Sequence, residues 1–272
     1  MTNIGLDLLD QDRILADLSD AARLWLSRLE VHSVLDSTNN YLLARVAEDW
    51  PSGAVCLAEQ QQAGRGRQGR SWLSPFATGL AASLLWRFPV ATATALSGLS
   101  LATGIAVARA LCAVGVTEVG LKWPNDVLWC GRKLGGILLE SGGKTGAFHV
   151  VAGVGLNVAL PADEAMAIDQ PWVDLAEILG ADRPSRNQLA ARLISAMIEI
   201  YVQFQHSGFA DLAREWAGFD QMAGRQVRLN LGHTPVIGIA RGVDATGALL
   251  LETADGRITP YIGGEISLRI EP

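Results

Sequence analysis

A strand-like run from Ala54 to Ala58 leads into a stretch where Gly64, Gly66 and Gly69 alternate with Arg65, Arg67 and Arg70. Glycine adopts backbone conformations that other residues resist, so the segment can bend tightly and lie close to a ligand. Arginine adds a permanent charge and a planar fork of donors suited to carboxylate and phosphate. The pattern predicts a flexible anion-binding lid on a loop at a sheet edge. The same glycines match a dinucleotide fingerprint, but that motif needs a helix to begin at the loop. Ser71-Trp72-Leu73-Ser74-Pro75 follows instead, and Pro75 opposes an immediate helix. The bland alternative is a solvated basic loop.

With 272 residues, the chain can bury a large core and hold two domains. A net charge of −6 argues against a general nucleic-acid binder. Cys56, Cys112 and Cys130 are scattered, which suits a reducing cytoplasm without disulfides. No His-Glu-x-x-His or other metal-ligand spacing occurs, so no metal-binding residues are assigned. Acidic Asp7, Asp10 and Asp12 stand where a signal peptide would be basic. Phe88 to Ala108 carries no charge and is long enough to cross a bilayer, but Pro89, Gly98, Gly104 and several hydroxyls dilute it. A buried helix from about Leu96 to Val114 is the better reading.

Apolar spacing predicts an N-terminal helix from Leu8 to Leu29 and a strand from Val31 to Leu35. Asp36-Ser37-Thr38-Asn39 offers caps for a helix over Tyr41 to Glu48. Strands are expected at Leu80–Phe88, Val119–Leu121, Val127–Trp129, Lys133–Glu140 and His149–Val158. Leu160 to Trp172 reads as a loop. Val173–Leu179, Gln188–Phe204 and Phe209–Trp216 read as helices. After Gly218, five short strands separated by turn residues fit a small β-barrel. The class is α+β, with an α/β-like interleaving of strands and helices. The expected division is 1–218, with 1–30 as a linker helix, and 219–272 for the barrel.

Lys122-Trp123-Pro124-Asn125-Asp126 lies between two strands; its lysine could project a point charge into a cleft, or be a surface lysine beside a turn. Gly135, Gly136, Gly153 and Gly155 sit within strands, where glycine marks close approach of a ligand or backbone, or a bulge. Gly142-Gly143-Lys144-Thr145 lacks the leading glycine of a P-loop and reads as a hairpin turn. Ser37, Thr38 and Asn39 offer small polar groups for a polar ring, or simply cap a helix. Trp172 could stack on a base or pack in the core.

Taken together, these clusters resemble the biotin protein ligase family from about Leu8 to Arg269. The resemblance rests on Asp36-Ser37-Thr38-Asn39, Gln61 to Arg67, Lys122 to Asp126, Gly136-Ile137-Leu138, Gly155-Leu156-Asn157 and Gly263 to Arg269. It implies a central mixed sheet like that of class II aminoacyl-tRNA synthetases, followed by an SH3-like barrel. It implies an ATP-dependent ligase that forms biotinyl-5′-AMP and passes biotin to a lysine of a biotin carboxyl carrier protein. ATP, Mg²⁺ and biotin are the implied small molecules. Carried over by motif, Ser37, Thr38, Asn39, Gln61, Arg65, Gly66, Arg67 and Lys122 contact biotin. Arg65, Arg67, Arg70, Asn157, Trp172 and Arg269 serve ATP or the adenylate, and Lys122 and Arg67 are the catalytic residues. A homodimer is also implied, with no membrane and no nucleic acid as partners.

The physical reading agrees. Joining a carboxylate to a phosphate brings two anions together, so fixed cations must offset their repulsion. The mixed anhydride is prone to hydrolysis, and a lid that excludes water has a use. Before Ser37 only one helix is legible, which points to the family form lacking a DNA-binding helix-turn-helix. Leu8-Leu9-Asp10-x-x-x-Ile14-Leu15 also resembles the linker that follows such a domain, so a truncated longer chain is the other reading. Position 68, often arginine in the family, is Gln68. The competing functions are a lipoate-protein ligase on the same scaffold and a biotin-responsive repressor fragment.

Overall fold

The computed structural model describes residues 6–89, 93–144, 146–231, 234–262 and 267–270; at 93, 231, 234 and 267–270 the description covers the backbone alone. Thr145, His233 and residues 263–266 of the C-terminal motif lie outside the described residues, as does the side chain of Arg269.

Two short helices, α1 (Gln11–Asp17) and α2 (Asp20–Trp25), open the described chain. β1 (Arg28–Leu35), α3 (Thr38–Val46) and β2 (Ala54–Gln61) form a β-α-β unit with parallel strands. β3 (Gly79–Phe88), α4 (Leu99–Ala113), β4 (Val119–Lys122), β5 (Asp126–Trp129), β6 (Arg132–Lys144) and β7 (Ala147–Asn157) follow. They complete a seven-stranded sheet in the order β1-β2-β3-β7-β6-β5-β4, antiparallel except for β1 and β2. After α5 (Ala162–Ala165), α6 (Leu175–Leu179), α7 (Arg186–Ser207) and α8 (Ala213–Phe219) comes a second, five-stranded sheet. Its strands are β8 (Gln226–Leu231), β9 (Thr234–Val243), β10 (Leu249–Glu252), β11 (Ile258–Tyr261) and β12 (Ser267–Ile270), all antiparallel. The mixed central sheet with helices is the expected α+β class.

Three expectations change. The helix drawn from Leu8 to Leu29 is two helices and the start of a strand. Leu18 is extended and the Ser19 side chain caps α2, so the first helix ends there; Leu29 already pairs with Val55 in the sheet. A periodic apolar pattern cannot register a side chain that caps a new helix midway. The loop after β2 does not lie at a lateral sheet edge. β2 is flanked by β1 and β3, and the loop leaves its end. The segment from Leu160 to Trp172 includes the single helical turn of α5.

The sheet alternates as a two-faced strand set should. Along β2, Val55 and Leu57 join the main core, whereas Ala54 and Cys56 face a smaller one with Leu42, Trp50, Leu85 and Val151. Helix α3 packs on that smaller side, while α4 and α7 pack against each other and the sheet on the other. The helical run Thr94–Ala113 is apolar enough to cross a membrane by composition, yet Leu101, Ile105, Ala106, Val107 and Ala108 are buried inside the fold. It is apolar because it is surrounded by protein. Burying a side chain such as Ile105 contributes about 1.5–3 kcal/mol. A capping box of Ser185 and Gln188 starts α7.

The N-terminal segment is tied into the core by polar contacts. Arg186, at the start of α7, pairs with Glu59 of β2 at 2.5 Å, and both are buried. Arg186 also donates to the Asp7 and Gly79 carbonyls, the Leu9 amide donates to Glu59, and Asn187 bridges Leu8 and Asp10.

Candidate active site

Ser37 caps α3, as its type predicts, accepting from the Asn40 amide. The cap aims Thr38 and Asn39 into the sheet, where both are buried. Thr38 donates through its amide to Gln61 Oε1 at 2.9 Å. Ser83 of β3 donates within reach of Thr38 Oγ1 (2.7 Å) and Asn39 Oδ1 (2.6 Å). Asn39 Nδ2 in turn donates to Glu140 Oε2 at 2.9 Å and to the Leu138 carbonyl. Three residues expected at one ligand, Thr38, Asn39 and Gln61, are therefore brought together in a single polar network, which Ser37 adjoins as the cap of α3. Ser83 and Glu140 belong to it and were not foreseen. Their strand runs offered no sequence signal beyond a polar residue among apolar ones.

The glycine–arginine segment folds over this network. Gly66 donates to the Arg70 carbonyl and Trp72 to the Gly64 carbonyl, closing the loop on itself. Gln68 takes a left-handed conformation (φ 57°). Arg65 Nη2 donates to Asn40 Oδ1 at 2.5 Å and to Glu140 Oε2 at 2.6 Å. Arg67 Nη1 reaches Asn125 Oδ1 at 3.5 Å. Burial pushes the Arg67 guanidinium below its ordinary value, Asp126 opposes this, and Arg70 adds to the lowering. Arg70 is exposed, and its Nη2 lies 3.4 Å from Gln68 Oε1.

Trp72 anchors the segment. A Cβ added at Gly155 of β7 would run into the Trp72 indole, and one at Gly136 of β6 would press on its ring edge at 3.3 Å. At these two glycines the close approach is by a side chain, whereas at Gly135 the Gly155 carbonyl also comes close. Glycines at these two places, combined with a tryptophan directly after the loop, were the available signal.

The β4–β5 turn supplies the cations. Lys122 ends β4, Trp123-Pro124 is a cis peptide, and Asp126 begins β5 opposite Lys122. Asp126 sits 3.4 Å from Lys122 Nζ and 2.6 Å from Lys133 Nζ. Burial would raise its carboxyl, but Lys133 and then Lys122 outweigh that and hold it below the usual 3.8. Lys133 Nζ also stands 6.0 Å over the Trp72 ring. Two ammoniums against one carboxylate leave a net positive charge beneath the lid. Lys133 was read only as the start of a strand; it is an equal member of this cluster.

Asn157 and Trp172 gather next to Lys133. Asn157 is buried and donates to the Lys133 and Val173 carbonyls at 3.3 and 3.1 Å. The Lys133 amide donates to the Pro171 carbonyl, and Lys133 and Trp172 form a β-bridge. The Arg269 backbone pairs with Arg228 on the second sheet. Among the described residues no group of three or more His, Cys, Asp or Glu is arranged to hold a metal. A cavity of about 1120 Å³ is lined by the loop from Arg65 to Gly69, Glu140, the start of α4 and Thr246 to Ala248. Among the described residues of the expected site, Arg65, Gly66 and Arg67 line it. The chemistry is better sought in the polar network and the lysine cluster under the lid, because the charges converge there.

Known proteins resemble this chain in sequence and fold. The model of the Biotin/lipoate A/B protein ligase family matches residues 31–157, and that of the Biotin protein ligase C terminal domain matches residues 223–269. The bifunctional ligase/repressor BirA of Escherichia coli is 43% identical over 265 residues, covering 97% of this chain and 79% of that protein. The biotin–[acetyl-CoA-carboxylase] ligase of Mycobacterium tuberculosis is 36% identical, with 96% of each chain covered. The biotin protein ligase of Aquifex aeolicus in complex with biotin and ATP superposes with a TM-score of 0.76 at 29% identity, over 90% of this chain and all of that one.

Proposed function

This chain belongs to the biotin protein ligase family, and we infer from that membership and from the lysine cluster under the lid how it acts. It is an ATP-dependent biotin–protein ligase. A biotin carboxylate oxygen attacks the α-phosphorus of ATP, pyrophosphate leaves, and biotinyl-5′-AMP forms. The amine of a carrier-protein lysine then attacks the carbonyl of the mixed anhydride, and AMP leaves.

The observation that carries the assignment of residues is the pairing of Asp126 with both Lys122 and Lys133 beside Arg67. Carboxylate and triphosphate repel at the moment of reaction, and preorganised cations offset this without reorganising. Lys122 and Lys133 take that role together, with Asp126 fixing where their ammoniums lie. Ser37, Thr38, Asn39 and Gln61 bind biotin, and Arg65, Gly66 and Arg67 cover it. Asn157 and Trp172 serve the nucleotide, their nearness to Lys133 supporting this, and Arg70 and Arg269 are assigned to it by the family resemblance.

Mg²⁺ enters as MgATP. Asp126 is already held by two ammoniums and the Asn157 amide donates to backbone carbonyls, so these residues do not form a cation site of their own and phosphate oxygens would carry the ion. The ion would neutralise phosphate charge. The acceptor is a biotin carboxyl carrier protein of a carboxylase. In the same proposal, residues 1–218 carry catalysis and 219–272 form the barrel, two copies pair through the central sheet, and the protein resides in the cytoplasm. Neither nucleic acid nor membrane is proposed as a partner, a reading the net charge of −6 supports.

The test is ATP–pyrophosphate exchange with a panel of acids. Exchange with biotin that requires Mg²⁺, followed by transfer to a carrier lysine, is the expected result. Exchange with lipoate but not with biotin overturns it.

A further inference from the structure

One carboxylate joins the lid to the polar network below it. Glu140 Oε2 accepts from Arg65 of the lid at 2.6 Å and from the buried amide of Asn39 at 2.9 Å. Arg65 sits 75 residues away in sequence and Asn39 101, so the contact exists only in the folded chain. We propose that Glu140 is a positioning residue that couples docking of the lid to the orientation of the Asn39 amide.

The chemistry of the acceptor makes the coupling directional. An ionised carboxylate accepts and does not donate. Facing it, Asn39 must present its NH₂ group, which turns Oδ1 toward the Ser83 hydroxyl at 2.6 Å. Ser83 meets Thr38 Oγ1, and Thr38 meets Gln61, so the amide setting propagates through every buried member of the network. The same oxygen receives the Arg65 guanidinium, a charge-assisted bond of the stronger kind. Asn40, on the turn of α3 that Ser37 caps, supplies Arg65 with a second acceptor. The Glu140 side chain is a quarter exposed and lines the same cavity as the loop from Arg65 to Gly69. Arg65 is thus seated by the protein's own carboxylate before any ligand arrives. A guanidinium has five donors, so those left over remain for a ligand anion.

The inference rests on the ligase reading, and its test has one arm that does not. Glu140→Gln can set its amide oxygen where Oε2 lies, so it keeps the shape and the acceptor but removes the charge that strengthens the bond to Arg65. Glu140→Ala removes the acceptor without adding a donor, and should reproduce both changes if Gln disturbs folding. In the ligand-free protein either variant should be cut by trypsin after Arg65 several-fold faster than wild type. In biotin-dependent exchange, the KM for biotin should rise about tenfold, the loss expected for a hydrogen bond to a charged group, while kcat falls much less. Combined with Arg65→Ala, the losses should not add, because both changes break one link. Unchanged cleavage at Arg65 in both variants, or additive losses in the double variant, overturns the proposal. Absence of biotin-dependent exchange in the wild type would overturn the ligase reading instead, and the trypsin arm would still report on Glu140.

Discussion

At the scale of single residues, the question is which cation follows the charge. Lys122→Ala and Lys133→Ala should each slow single-turnover adenylation by about 10²-fold, as loss of one preorganised charge contact does. Lys122→Arg should also be impaired, since a planar fork does not replace a compact ammonium. Wild-type-like adenylation by Lys133→Ala would return the role to Lys122 alone. Asp126 gives a pH signature. Its folded carboxyl lies below the ordinary 3.8. The stabilisation is therefore complete above the ordinary value and lost as pH falls through the lower folded one. Urea midpoints measured from neutral pH down to pH about 2 should fall less steeply for Asp126→Asn than for wild type over that acid window. Parallel curves would show that the two lysines do not shift Asp126.

At the scale of elements, the lid is held by its exit. Gly155→Ala puts a methyl where the Trp72 indole lies, and overpacking of this kind costs about 1–3 kcal/mol. The same change should unseat the lid and raise trypsin cleavage after Arg67 and Arg70. In a Trp72→Ala background the cost of Gly155→Ala should largely vanish, and a full cost there would mean that another neighbour is responsible. The elements themselves were mostly readable. The caps offered by Asp36 to Asn39 before α3 and the apolar runs of β2 and β3 encode their geometry locally, whereas α7 begins at Arg186, earlier than the expected Gln188, behind a Ser185 cap. The opening helix was misread because the break at Leu18 and Ser19 depends on a side-chain cap, and Leu29 pairs with a strand that follows it in sequence. The lid was legible as a loop. Its anchor was not, since Trp72 meets Gly155 only when β7 returns to the sheet.

At the scale of the whole molecule, two long-range ties hold the parts in place. The buried Trp123 donates through Nε1 to the Gly247 carbonyl in the β9–β10 connection at 3.0 Å, so the turn carrying Lys122 also braces the second sheet. Glu59 and Arg186 join β2, α7 and the N-terminal segment in the core. Glu59→Gln should destabilise the fold by about 3–5 kcal/mol in urea unfolding, because it leaves a buried guanidinium without its counter-charge. A loss below about 1 kcal/mol would mean that carbonyls alone satisfy Arg186. The chain's own pattern determined its class, most of its strands, the glycine–arginine lid, the lysine-bearing turn and the small all-β end. These follow from spacing, capping and turn chemistry, which act between neighbours in sequence. Only the tertiary structure decided that Asp126 shares two lysines, that Glu140 seats Arg65 and Asn39, and that Trp72 fills the space left by strand glycines. Each of those pairings acts through distances of a few ångströms between residues whose separation in sequence carries no trace of their meeting.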